Sequence, residues 1–185
     1  MFGKFFRRKQ SEQVPEVVAV DLTQIGGPPE LEFLFIDVAA NDVQRALDGW
    51  AWIGLNNLAV IAVSAFGDVF FRAEDGSIQF LDMIEGRLSK VGDNLADFTA
   101  TLQETDRRDE LLLAGMVIGA RNKGINLTAG ECYDFEIAPI VGGPMSLDKV
   151  HKISFVVKVH IAGQLHEQVK DLPPGTRISG FKIAD

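Results

Sequence analysis

The sequence predicts an α+β domain, a single unit in which an antiparallel meander packs against several helices. Three observations carry that expectation. AFGDVFFRAEDGSIQFLD, Ala65 to Asp82, sets two runs of β-branched and aromatic residues around Asp75–Gly76, a hairpin signature. Two later stretches, 93–104 and 106–124, space their apolar residues at helical intervals. The 185 residues are 46% hydrophobic and 24% charged, enough apolar material for one sizeable core.

Each element follows in order. Residues 10–29 are punctuated by Pro15, Gly26, Gly27, Pro28 and Pro29 and read as a linker or extended lead-in. Helical signals begin after Pro29 with ELEFLFIDVA. NDVQRALDGW then offers Asn41 as an N-cap and Gly49 as a stop. Trp50 and Trp52 open a strand-like region. The uncharged stretch Gly49 to Gly67 approaches the length of a membrane span. Asn56 and Asn57 in its middle favour two short buried strands instead, joined at Leu55–Asn56–Asn57–Leu58.

VSAFGDVFFR and SIQFLD form the hairpin, Gly86 marks a turn, and Arg87 to Val91 supply a third strand. DNLADFTATLQE is a helix with Leu95, Phe98 and Leu102 on one face. DRRDELLLAGMVIGARNKG reads as one helix, acidic at its start and basic before Gly124. INLTAGECYDFEIAPIVGG returns to extended chain, and MSLDKVHKISF is a short strand or a turn. VVKVHIAGQLHEQVK alternates like a strand at first, then repeats like a helix at Ile161, Leu165 and Val169. The chain thus divides into a tail and linker (1–29), a folded domain (30–170) and a Pro/Gly-rich tail (171–185).

The net charge is −8, and it is unevenly placed. MFGKFFRRK holds Lys4, Arg7, Arg8 and Lys9 and no acid, which leaves 14 basic against 26 acidic side chains beyond it, a balance of −12. An acidic body repels nucleic acid and steers basic proteins toward itself, so direct nucleic-acid binding is not expected. Phe2, Phe5 and Phe6 beside those cations offer a weak contact to an anionic membrane surface, although a solvated, frayed start is the commoner behaviour. The single Cys132 allows no internal disulfide framework, and no apolar run follows the basic start as in a secretory signal. A cytoplasmic location is expected.

Asp68 and Asp82 raise the question of chemistry. Across a hairpin they would share a proton or a cation, but a catalytic pair needs a pocket and a matched partner, and a cation needs several oxygen ligands. Positions after Gly67 and at a strand end are ordinary for Asp. His151, His160 and His166 show no zinc spacing, Cys132 has no evident activating group, and neither glycine pair has a phosphate-loop form. No catalytic residue, cofactor or metal site is therefore expected. What stands out is acid on a meander-and-helix scaffold: Asp68, Glu74, Asp75, Asp82 and Glu85 in one segment, Glu131, Asp134 and Glu136 in another. Such a surface steers a basic partner into contact, with affinity supplied by buried aromatics.

Two stretches also resemble a known family. Gly67, Asp68, Val69 and Phe70, then Phe80, Leu81 and Asp82, then Gly86, Leu88 and Lys90 are similar to a GD-[VL]-F, [FY]-LD, G-x-L-x-K meander. Glu131, Cys132, Tyr133, Phe135, Pro139, Gly142, Gly143, His160 and Gln164 fall on an ECYGF, P-x-x-x-GG and VHLxILAQL series. Both belong to the C-terminal domain of type VI secretion immunity proteins, formerly a domain of unknown function and loosely similar to the cell-wall-regulator-like immunity superfamily. The resemblance spans about residues 45 to 170. Asp134 stands where the family usually has Gly, and Gly163 falls inside the last helix. It implies that Val157 to Val169 is helical and that the protein is a cytoplasmic, non-enzymatic binder. The implied partner is a cognate toxin, in some members a nuclease, or another basic protein. The rival expectation is a housekeeping scaffold held near a membrane by residues 1–9.

Overall fold

The computed structural model describes residues 16–17, 29–173, 175–178 and 180–183. Its centre is a sheet in the order β1-β2-β3-β4-β5. The strands are β1 (Glu16–Val17), β2 (Leu58–Val63), β3 (Val69–Ala73), β4 (Ile78–Asp82) and β5 (Arg87–Gly92). β1 runs parallel to β2, and the others are antiparallel. The helices are α1 (Ala40–Leu47), α2 (Leu95–Gln103), α3 (Thr105–Leu112), α4 (Ala114–Asn122) and α5 (Phe155–Val169). A separate antiparallel pair joins β6 (Glu131–Phe135) to β7 (Val150–Ser154). The α+β class and the meander are as the sequence predicts.

Alternation along the strands explains why their sequences are apolar nearly throughout. Phe70, Ile78 and Phe80 face one core with Phe98, Leu102, Leu112 and Tyr133. Val69, Phe71 and Leu81 face a second core with Leu47, Trp50, Phe155 and Val159. Side chains alternate between the two faces of a strand, so covering both faces demands apolar residues at consecutive positions. α2 begins where Asn94 Oδ1 accepts the Asp97 N–H at 3.0 Å, a side-chain cap of the usual kind.

Five local expectations are corrected. Pro29–Leu34 is a 3-10 helix rather than an α-helix, and Phe35 then bridges Ser64. α1 is capped at Ala39, which places Asn41 inside the first turn. Asp48–Ile53 is a second 3-10 helix instead of a strand, because Trp50 and Trp52 both turn to α5. Their indole N–H groups donate to Val159 O at 2.8 Å and Gly163 O at 3.1 Å. The β3–β4 loop has three residues, Glu74 to Gly76, closed by Ala73 N–H on Ser77 O at 2.9 Å. Only Gly76 takes a positive φ there, 86°, as the last residue of such a loop requires. Finally, residues 105–122 form two helices, broken at Leu113 with φ 48°. The ambiguous stretch after Phe155 is wholly helical, and Gly163 lies within it without a break. No helix among the described residues is long and apolar enough to cross a membrane.

Candidate partner-binding surface

The first acidic group does not form one surface. Asp68 is 4% exposed and turned inward. Ser64 Oγ donates to its Oδ2 at 2.6 Å, and the Met83 N–H donates to its Oδ1 at 2.9 Å. The same Ser64 oxygen accepts the Asp68 and Phe66 N–H groups at 3.0 and 3.2 Å. The carboxylate therefore pins the bend between β2 and β3 to the end of β4. This corrects its expected place on a partner-facing edge. Burial raises its pKa, opposed by the Ser64 and Met83 hydrogen bonds and by the Lys158 charge. A raised folded-state pKa means that the stability this group supplies is complete below about pH 3.8 and is lost as pH climbs through the folded value. Asp68→Asn keeps an acceptor for Met83 and sheds the buried charge. It is expected to stay within about 1 kcal/mol of wild type at pH 7 and to lack that loss in urea titrations run from pH 4 to 7. Asp68→Ala strands two donors and should cost about 2 kcal/mol.

Asp82 is half-buried, and its Oδ1 accepts the Ile84 and Glu85 N–H groups at 2.8 and 2.9 Å, shaping the β4–β5 turn. Glu85 beside it is exposed. Glu74 and Asp75 are exposed at the β3–β4 loop, where Asp75 accepts from Ser77 Oγ at 2.6 Å and Ser77 N at 2.9 Å. Those bonds lower its pKa. β4 separates the two turns, so Glu74–Asp75 and Asp82–Glu85 lie at opposite ends of a strand about 16 Å long.

The second group is met by lysines from β7, α5 and the turn before β7. Glu131 pairs with Lys152 at 2.9 Å and also accepts the Thr128 N–H; these contacts hold its carboxyl at about 2. Glu136 pairs with Lys149 at 3.2 Å, and Asp134 with Lys158 at 3.3 Å. Three acids that look like a patch in the sequence are thus each neutralised within the fold.

Lys158 is a buried polar side chain that sequence reasoning passed over, and His166 is one it set aside as a metal ligand. Lys158 is buried, and its Nζ donates to Phe66 O at 2.6 Å and Tyr133 O at 2.8 Å. His166 Nε2 lies 3.0 Å from Met83 O, with its ring against Trp50 at 5.5 Å. A side chain on Gly86 would strike that ring at 2.0 Å. Burial lowers the His166 pKa. Cys132 is enclosed, and burial pushes its thiol up to about 12, which keeps it protonated and poor as a nucleophile. Among the described residues no three His, Cys, Asp or Glu side chains are grouped to hold a metal ion.

Two concavities flank the connection between β6 and β7. A mixed basin of about 500 Å³ lies over β4, β5 and α3 and carries both signs of charge: Asp82, Glu85 and Glu110 against Arg87, Lys90 and Arg107. A smaller cleft of about 90 Å³ lies between α5 and the 138–140 segment and is walled by Ile84, Phe135, Ile140, Ile161 and Leu165, with His166 and Lys158 also lining it. The helical repeat at Ile161, Leu165 and Val169 was the sequence signal for its α5 wall, to which Ile161 and Leu165 belong. Exposed Ile137 and Val141 (55% and 42%) lie on the chain that forms the opposite wall, and Val157 (45%) lies one turn before Ile161.

Residues 92–166 match the family model described as T6SS immunity protein Tdi1, C-terminal. The match takes in the ECYDF strand and α5 as far as His166; the Gly67 to Lys90 meander lies before it. Among solved structures, the crystal structure of Atu4351 from Agrobacterium tumefaciens is similar at 16% identity. It has a TM-score of 0.46, with 81% of this chain and 82% of that chain covered. No curated protein matches the chain.

Proposed function

We propose, from the premise that residues 92–166 carry the C-terminal region of a type VI secretion immunity family, that this protein binds a cognate secreted toxin and neutralises it by occlusion, without catalysis. The family match is the observation that carries this reading. The enclosed, protonated Cys132 and the internally satisfied Asp68 favour a binder over an enzyme. The toxin is a basic protein, and a nuclease fits, because a surface that grips polyanions is attracted by an acidic body of net charge −8. Of the eight acids singled out in the sequence, Glu74, Asp75 and Glu85 are the exposed ones without an ion pair among the described residues. They therefore carry the steering role in this reading, with Asp82 beside Glu85. The cytoplasm is the compartment where a nuclease would need neutralising. The rival scaffold reading depends on residues 1–9, which lie outside the described residues.

Co-expression with any secreted toxin encoded directly upstream of this gene tests the proposal. Growth should be restored, and the purified pair should co-elute. A toxin that neither binds nor is neutralised sinks it. Within a bound pair, Glu74→Lys combined with Glu85→Lys is expected to slow association about tenfold at low salt and to leave dissociation nearly unchanged. Stopped-flow mixing at two ionic strengths reads this, and the difference should shrink as salt rises.

A further inference from the structure

We infer that His166 is an acid-operated latch: a proton on its free ring nitrogen releases the β4–β5 turn, Met83 to Gly86, from α5. The latch is built from three contacts on one ring that is 3% exposed. His166 Nε2 lies 3.0 Å from Met83 O, so with that nitrogen protonated the ring donates to the turn. Another edge of the ring sits against Gly86. A Cβ there would lie 2.0 Å from Nδ1 and 2.3 Å from Cγ, and Gly86 has φ 64°, so the turn closes on the ring only because this residue is glycine. The ring also lies 5.5 Å from that of Trp50, whose indole N–H donates to Val159 O in the same helix.

The two ring nitrogens are unequal. Nε2 has its acceptor in either protonation state. Nδ1 makes no hydrogen bond among the described residues and faces the Gly86 methylene, which accepts none. A second proton would sit there unpaired, on a ring enclosed beside Trp50, unless the turn moves and admits an acceptor. The charged groups nearby do not supply one in place. On the turn, Asp82 Oδ1 already accepts the Ile84 and Glu85 N–H groups, and Glu85 is exposed. Asp48 belongs to the 3-10 helix that carries Trp50, and Glu167 and Lys170 flank the ring on its own helix and C-cap. Lys158 and Asp134, which line the cleft beside His166, pair with each other. Asp82 and Glu85 favour the protonated ring, but burial outweighs them and holds the pKa below the ordinary histidine value. The latched state is therefore fully stabilised above about pH 6.5 and loses that support as pH falls through the folded value. Met83 and Ile84 wall the small cleft, and Ile84 and Glu85 wall the mixed basin, so freeing the turn reshapes both concavities. The latch is independent of which partner the protein binds.

Amide hydrogen exchange of the full chain at pH 7 and pH 5, corrected for the intrinsic pH dependence of exchange, tests the latch. Opening of residues 83–86 should rise about threefold or more at the lower pH, with α2 unchanged. His166→Gln keeps an N–H donor for Met83 O and does not titrate, so its turn should open equally at both pH values. Asp68→Asn removes the other buried titrating group bonded to the turn and should retain the rise. Should His166→Gln fail to fold, the wild-type ring decides through its NMR Hε1 signal. That signal should titrate below about pH 6.5, with the same midpoint as the loss of turn protection. A ring that titrates at or above that value, or turn protection equal at both pH values, overturns the inference. So does a rise that survives His166→Gln or disappears in Asp68→Asn.

Discussion

Gly163→Ala should destabilise the protein by about 3 kcal/mol, although alanine is the better helix former by about 1 kcal/mol. A Cβ at Gly163 would lie 2.3 Å from Gly49 O and 2.5 Å from Gly49 C, and a Cβ at Gly49 would lie 2.3 Å from His160 O. These neighbours are backbone atoms, which cannot swing aside. Relief requires moving the whole 48–53 turn away from α5. That motion stretches the two indole hydrogen bonds, Trp50 to Val159 O and Trp52 to Gly163 O, which tie the same elements together. It also opens the second core around Trp50. Gly119→Ala provides the contrast. Its new Cβ would meet only the end of the Leu147 side chain, which can rotate, so a change within about 1 kcal/mol is expected. Urea unfolding of both variants decides the matter. A stabilised Gly163→Ala would show that propensity outweighs contact and that α5 does not pack as closely as described.

The same contact shows which parts of this fold were legible in the sequence. The meander was readable because short strands, Asp75–Gly76 and Gly86 are local signals, and α2 because Leu95, Phe98 and Leu102 recur at helical intervals. The 3-10 helix at Asp48–Ile53 was not. Its two tryptophans find their acceptors more than a hundred residues later, and no local pattern announces that. The break at Leu113 carries no Gly or Pro at the break itself. It is held by Asp109, whose Oδ1 accepts the Gly115 N–H at 2.7 Å while its carbonyl accepts the Leu113 N–H at 2.8 Å. The acids show the same limit. Their positions were visible, but the inward turn of Asp68 and the lysines opposite Glu131, Asp134 and Glu136 are tertiary facts. Val157 to Val169 was placed as helix by family resemblance, since its own pattern mixes both periods.

Lys158→Met is expected to cost about 4 kcal/mol, because breaking a buried pair leaves its partners uncompensated. The ammonium joins three parts of the molecule. It donates to Phe66 O in the β2–β3 bend and to Tyr133 O in β6, it pairs with Asp134, and it lies 5.3 Å from the Phe66 ring. Methionine fills the volume of the stem and offers none of these contacts, so two carbonyls lose their buried donor. Adding Asp134→Asn should recover part of the loss by removing the carboxylate left without its lysine. The recovery is only partial, because the carbonyls stay unpaired. A pH signature distinguishes charge from packing. Lys158 is one of the groups holding the Asp68 pKa down, so its removal raises that pKa further. A carboxyl raised in the folded state loses stability as pH climbs through its folded value. The gap between wild type and Lys158→Met should therefore widen from acid to neutral pH and stay nearly constant in an Asp68→Asn background. Urea unfolding at pH 5 and 7 in both backgrounds measures it. A loss that is equal at both pH values would assign the whole effect to packing and remove Lys158 from the electrostatic support of the buried aspartate.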